Sequence, residues 1–146
     1  MDNSQIEIVL AEDNLDDAEL TIHALRKGMI ANKLIHLKDG VEVLDFLFGT
    51  GQFAGRDMSQ KPKLILLDLK MPKINGMEVL EKVKTNETTK SIPVVVLTSS
   101  RENPDLEKCY ALGANSYIVK PVNFDGLVKV VQELGMYWVI LNQVPS

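Results

Sequence analysis

The chain has 146 residues, 45% apolar and 25% charged, a size and balance that exclude disorder and fibrous repeats and predict a single domain over residues 1–146. A net charge of −4 with scattered Lys and Arg leaves no basic stripe for nucleic acid, and the lone Cys109 excludes an internal disulfide or a thiolate-held metal. Met1 to Gln5 has neither the basic start nor the apolar core of a signal peptide, and no apolar run reaches membrane-span length, so a reducing cytoplasm is the expected compartment.

The first strand is predicted at Ile6 to Ala11, an apolar run that ends in Glu12-Asp13. Asn14, ahead of Asp16 and Asp17, starts a helix whose apolar face is Leu15, Ala18, Ile22 and Leu25. A second strand follows at Leu34 to Leu37, then a second helix. Three glycines and weak periodicity mark the stretch at about 48–62 as a surface loop inserted before the third strand, Leu64 to Leu67. Asn75 with Glu78 three residues on opens a helix carrying Val79, Leu80 and Val83. Pro93 to Leu97 is the fourth strand, Asn103 before Pro104 the next helix start, and Ser116 to Val119 the fifth strand. Asn123 before Asp125 begins the last helix, with Leu127, Val131 and Leu134 on one face. The tail at 134–146 is unusually apolar and is expected either to cap the core or to form a homodimer surface.

Strands that are apolar on both faces and alternate with helices require a parallel sheet covered on both sides. The predicted fold class is therefore α/β, a doubly wound five-stranded parallel sheet of flavodoxin-like order 2-1-3-4-5.

Four of these strands end in a polar group: Glu12-Asp13, Asp68, Thr98 and Lys120. In open α/β sheets the ligand site lies at that carboxyl edge, where the strand order reverses. Three carboxylates brought together there repel one another, and a divalent hard cation relieves them. Carboxylate and carbonyl oxygens with waters suit Mg²⁺, which commonly shares its shell with a phosphate.

Each feature has a plainer reading when taken singly. Glu12-Asp13 could be a solvated strand end, Thr98 a β-branched strand residue, Lys120-Pro121 a turn, and Tyr117 half-buried packing. The joint occurrence at four strand ends favours function. His23 and His36 fall on different elements and read as structural or surface residues, and Cys109 as a small packed hydrophobe. Gly49, Gly51 and Gly55 follow no strand and precede no Lys-Ser/Thr, so a P-loop is excluded.

Glu12-Asp13, Asp68 with Met71-Pro72 and Gly76, Thr98-Ser99 and Lys120-Pro121 together resemble the response-regulator receiver signature, over nearly the whole chain. The blocks LILLDLKMPKINGMEVL and IPVVVLTSS, the inserted loop and the YWVILNQVP tail are similar to small regulators paired with bacterial phytochrome-type histidine kinases. The resemblance implies that Asp68 accepts a phosphoryl group from a kinase phosphohistidine. It also implies that Asp13, Asp68 and the Lys70 carbonyl ligate Mg²⁺, with Glu12 acting through a water. Thr98 and Lys120 would then contact the phosphoryl oxygens, and the Lys120-Pro121 bond would be cis. Thr98 and Tyr117 would form the switch, while Lys70 and Ser100 would tune the phosphoryl lifetime.

The implied output is a protein-binding surface near the fourth helix, fifth strand and fifth helix, acting on a separate, unknown downstream protein. Three other functions stay open at this point: an Mg²⁺-dependent phosphohydrolase using an aspartyl phosphate, a flavodoxin-like cofactor binder, and a receiver-like module that binds without phosphorylation.

Overall fold

The structure is a computed structural model and describes residues 8–27, 33–99, 102–121 and 123–133. The predicted start of the first strand at Ile6, the role given to Ser100, and the apolar tail at 134–146 lie outside those residues.

Five strands alternate with five helices: β1 (Ile8–Ala11), α1 (Leu15–Lys27), β2 (Leu34–Leu37), α2 (Gly40–Phe48), β3 (Leu64–Asp68), α3 (Gly76–Thr85), β4 (Val94–Thr98), α4 (Asn103–Ala111), β5 (Ser116–Val119) and α5 (Phe124–Glu133). All neighbouring strands pair in parallel, in the order β2-β1-β3-β4-β5. The switch in order falls between β1 and β3, in the expected 2-1-3-4-5 arrangement.

Alternate residues of each central strand feed opposite faces of the sheet. Val9, Ala11, Ile65, Leu67, Val94 and Val96 pack with Val43 and Phe46 of α2, Val79, Leu80 and Val83 of α3, and Cys109 of α4. Ile8, Leu10, Leu64, Leu66, Val95 and Leu97 pack with Ala18 and Leu25 of α1 and Leu127 of α5. Each fully buried Leu or Ile contributes about 1.5–3 kcal/mol relative to exposure. Cys109 is buried, as expected, with its Sγ 3.8 Å from Met77 Sδ.

The helix starts follow from local chemistry. The side-chain oxygens of Asn14, Asn75 and Asn123 accept from the amides of Asp17, Glu78 and Gly126 at 2.9, 3.0 and 2.7 Å, satisfying donors that the first helical turn leaves without partners. One expectation shifts: α4 is capped by Glu102, which makes no side-chain cap bond, and Asn103 is its first helical residue. The start of α2 carries no asparagine; Asp39 accepts from the Glu42 amide at 2.8 Å instead.

The inserted stretch after α2 is better ordered than its glycines suggest. Gly49 closes α2 in the left-handed conformation at φ 65°, and a 3-10 turn covers Gly51–Phe53. Arg56 donates from Nε to the Phe46 carbonyl at 2.8 Å and from Nη1 to the Gln60 carbonyl at 3.0 Å, with its guanidinium 4.1 Å above the Phe46 ring. Phe53 meets Phe46 edge to face at 5.2 Å. Among the described residues no helix is long and apolar enough to cross a membrane.

Candidate functional site

The strand register sets the site. Ala11 pairs with Leu67, Asp68 with Leu97, and Thr98 with Val119, so Glu12, Asp68, Thr98 and Lys120 reach the same carboxyl edge from four strands. β3 and β4 each run one residue beyond the predicted apolar run, so Asp68 and Thr98 are themselves strand residues, held in the ladder and buried. Asp13 is exposed at the mouth.

One carboxylate oxygen each of Glu12, Asp13 and Asp68 lies within 4.8 Å of the others, a set of hard donors that fits Mg²⁺ or Mn²⁺. Lys120 brings the counter-charge. Its Nζ lies 2.6 Å from Glu12 Oε1, 3.0 Å from Asp17 Oδ2 and 3.4 Å from Asp68 Oδ2. The Glu12 contact has ion-pair distance without hydrogen-bond direction. The Lys120-Pro121 peptide bond is cis.

Glu12 is fully buried, and that burial, reinforced by the neighbouring Asp68, pushes its carboxyl up to about 7 against the pull of Lys120. Burial alone would lower Lys120, but the close contacts with the Glu12 and Asp17 carboxylates and the charge of Asp68 outweigh it and hold the ammonium well above its ordinary value. One ammonium therefore serves a site with an excess of carboxylate.

The backbone around these groups is pinned. The Glu12 amide donates to the Leu37 carbonyl at 3.0 Å, and His36 Nε2 donates to the Glu12 carbonyl at 2.7 Å. The Asn14 amide donates to Glu12 Oε2 at 3.2 Å. The Lys70 amide donates to Asp68 Oδ1 at 3.2 Å, which leaves the Lys70 side chain exposed outside the carboxylate. Beyond it Lys73 takes φ 69° and pairs with Asp39 at 3.4 Å, tying the loop after β3 to the start of α2.

An open cleft of about 540 Å³ reaches the site, lined by Asp13, Lys70, Met71, Thr98 and Asp105 among others. A separate groove of about 590 Å³ between α2 and α3, bounded by Val41, Phe48 and Ile74, holds none of the site residues. Tyr117 is half-buried against the core on the α4 side of the sheet.

Asp17 is the site residue that sequence reasoning missed. Its place in the first turn of α1 reads as a helix-dipole feature, and only the packing of α1 beside the end of β5 brings it to Lys120. His36, expected to be a structural or surface residue, is half-buried and bonded to the Glu12 carbonyl. His23 is exposed on α1.

Residues 8–132 match the family described as Response regulator receiver domain. Response regulator Rcp1 of Synechocystis sp. is 39% identical over 139 residues, covering 95% of this chain and 92% of its own. The structure titled Bacteriophytochrome response regulator RtBRR is 45% identical with a TM-score of 0.86, covering 97% of this chain and 84% of that one. A crystal structure of the Mn²⁺-bound form of Rcp1 is 37% identical with a TM-score of 0.76, covering 97% and 99%. Receiver domains are signalling proteins phosphorylated by histidine kinases, and they bind Mg²⁺ or Mn²⁺ in an acidic pocket. An acidic cleft at the switch point of a 2-1-3-4-5 sheet, in a chain alike over nearly its full length, has one consistent meaning: this chain belongs to the response regulator receiver family and is a phosphoryl-accepting response regulator of two-component signalling.

Proposed function

We propose that Asp68 is the phosphoryl acceptor and that Glu12, Asp13, Thr98 and Lys120 assemble the Mg²⁺-dependent transfer around it. The observation that carries this reading is the position of Asp68: buried at the end of β3, within carboxylate reach of Glu12 and Asp13 on one side and 3.4 Å from the Lys120 ammonium on the other.

In the transfer, an Asp68 carboxylate oxygen attacks the phosphorus of a phosphohistidine in line with the departing nitrogen. The new O–P bond forms as the P–N bond breaks, and the imidazole leaves with the electron pair and takes up a proton. Asp13, Asp68 and the Lys70 carbonyl would hold the magnesium ion, with Glu12 acting on it through a water. When bound, the ion neutralises charge shared between the carboxylates and the phosphoryl oxygens. Lys120 and the Thr98 hydroxyl receive the remaining phosphoryl oxygens, so the developing charge meets fixed partners from separate strands.

The readout uses Thr98 and Tyr117. A Thr98 hydroxyl turned toward the phosphoryl group vacates space, and the Tyr117 ring moves inward, shifting the population of a binding surface around α4, β5 and α5. Lys70 and Ser100 stand two residues past Asp68 and Thr98 and set how fast water removes the phosphoryl group. The kinase is proposed to be of the phytochrome type, supported by the likeness to the bacteriophytochrome response regulator RtBRR. Residues 1–146 act as one domain that presents its switched surface to a protein partner, and turnover is limited to slow self-dephosphorylation. A phosphohydrolase would need a further acid/base carboxylate two residues past the nucleophile, and Lys70 stands there.

The test is incubation with a small phosphodonor and Mg²⁺, followed by intact-mass measurement. Wild type gains one phosphoryl group and Asp68→Asn gains none; label on Asp68→Asn would move the acceptor elsewhere.

A further inference from the structure

Lys120 has three N–H donors and, in this structure, three carboxylates to face: Glu12 at 2.6 Å, Asp17 at 3.0 Å and Asp68 at 3.4 Å. A phosphoryl oxygen that draws Nζ toward itself pulls it away from these carboxylates, and the three differ in what release costs. The side chains of Glu12 and Asp68 are 0% and 5% exposed, so a carboxylate set free there stays stripped of water. The Asp17 side chain is 38% exposed and rehydrates on release.

Asp17 is also the partner with directed geometry, since Lys120 Nζ donates a hydrogen bond to its Oδ2 at 3.0 Å. Its backbone cannot drift away. The Asp17 amide donates to Asn14 Oδ1 at 2.9 Å, and its carbonyl accepts from Thr21 Oγ1 at 3.1 Å, in a helix turn whose other acidic residue, Asp16, is exposed.

We propose that Asp17 is a positioning residue that holds Lys120 in the resting site and yields it to the incoming phosphoryl group, so that it slows both acceptance and retention. The inference rests on Asp68 being the acceptor. Because Asp17 competes with the phosphoryl oxygens for one donor, removing its charge favours the state in which Lys120 faces the phosphoryl group. Acceptance becomes faster and loss to water slower.

The experiment follows phosphoryl gain and loss by intact mass at saturating Mg²⁺ with acetyl phosphate. The variants are Asp17→Asn, Asp17→Glu and Asp16→Asn, each with its unfolding midpoint measured. Asp17→Asn is expected to accept roughly two- to fivefold faster than wild type and to lose the phosphoryl group more slowly, the scale of a partly exposed ion pair. Asp17→Glu should return toward wild type. Asp16→Asn, which removes an equal charge from the same turn without touching Lys120, should behave as wild type. Should Asp17→Asn prove unfolded, Asp17→Ser replaces it. Unchanged or slower acceptance by the folded variant overturns the proposal, as does equal acceleration by Asp16→Asn, which would reveal only a general effect on an anionic donor. Absence of label on wild type would instead overturn the Asp68 reading, and this inference with it.

Discussion

Gly76 lies against the main chain of Asp68 so closely that a Cβ on it would fall inside contact distance of the Asp68 carbonyl oxygen, while its amide donates to the Leu69 carbonyl at 2.9 Å. The obstacle is backbone, which cannot rotate aside as a side chain would. Gly76→Ala is therefore expected to cost about 1–3 kcal/mol and to displace Asp68 from its partners. Denaturant unfolding and phosphoryl uptake, measured on the same sample, check this. Uptake should fall by more than the lost folded fraction.

The carboxylates of Glu12, Asp13 and Asp68, proposed above to hold magnesium, are gathered only by folding and have no counterpart in the unfolded chain. Mg²⁺ at ten times its dissociation constant should then add about 1.4 kcal/mol of stability to wild type. Asp13→Asn and Asp68→Asn should lose most of that increment. Thermal unfolding with Mg²⁺ and with chelator measures it, and an equal gain in all three proteins would contradict the assignment.

Asp39 caps α2 and pairs with Lys73. Burial alone would raise its carboxyl above the usual 3.8, but the Glu42 amide and the Lys73 ammonium outweigh that and hold it below. The folded state thus binds this proton less readily than the unfolded one. Its contribution is present above that ordinary value and is lost as pH falls through the lowered one. Asp39→Ala should cost about 1 kcal/mol at neutral pH, and the gap from wild type should narrow in acid. Unfolding curves at pH 7 and in acid test both parts.

At the opposite edge of the sheet, Lys84 donates to the carbonyls of Lys90 and Ile92 at 3.1 and 2.7 Å and to Asn115 Oδ1 at 3.1 Å. Asn115 Oδ1 also accepts from the Val94 amide at 2.9 Å, so one side chain ties α3, the following loop and two strand starts together. Lys84→Met keeps the length and removes the donor. The expected loss is about 1–3 kcal/mol in chemical unfolding, with phosphoryl uptake by the folded protein unchanged.

The sheet and its chemical edge were legible because the information is local. A run such as LILL that stops at Asp68, or VVVL that stops at Thr98, states strand, depth and site together. The asparagine caps were legible for the same reason, apart from the one-residue shift at Asn103. What escaped depends on contacts between distant segments. Asp17 reaches Lys120 only after α1 and β5 have packed, and Arg56 orders a glycine-rich stretch by reaching back to Phe46 and over its ring. The left-handed Lys73 was hidden by its residue type, since only its pairing with Asp39 shows what accompanies that conformation.

The four strand ends that make the site come from separate parts of the chain, with the ammonium carried by β5, the last strand in sequence. Until β5 has paired with β4, Glu12, Asp17 and Asp68 lack the ammonium that faces all three. Charge balance at the acidic edge is therefore completed by the strand that joins the sheet farthest from β2.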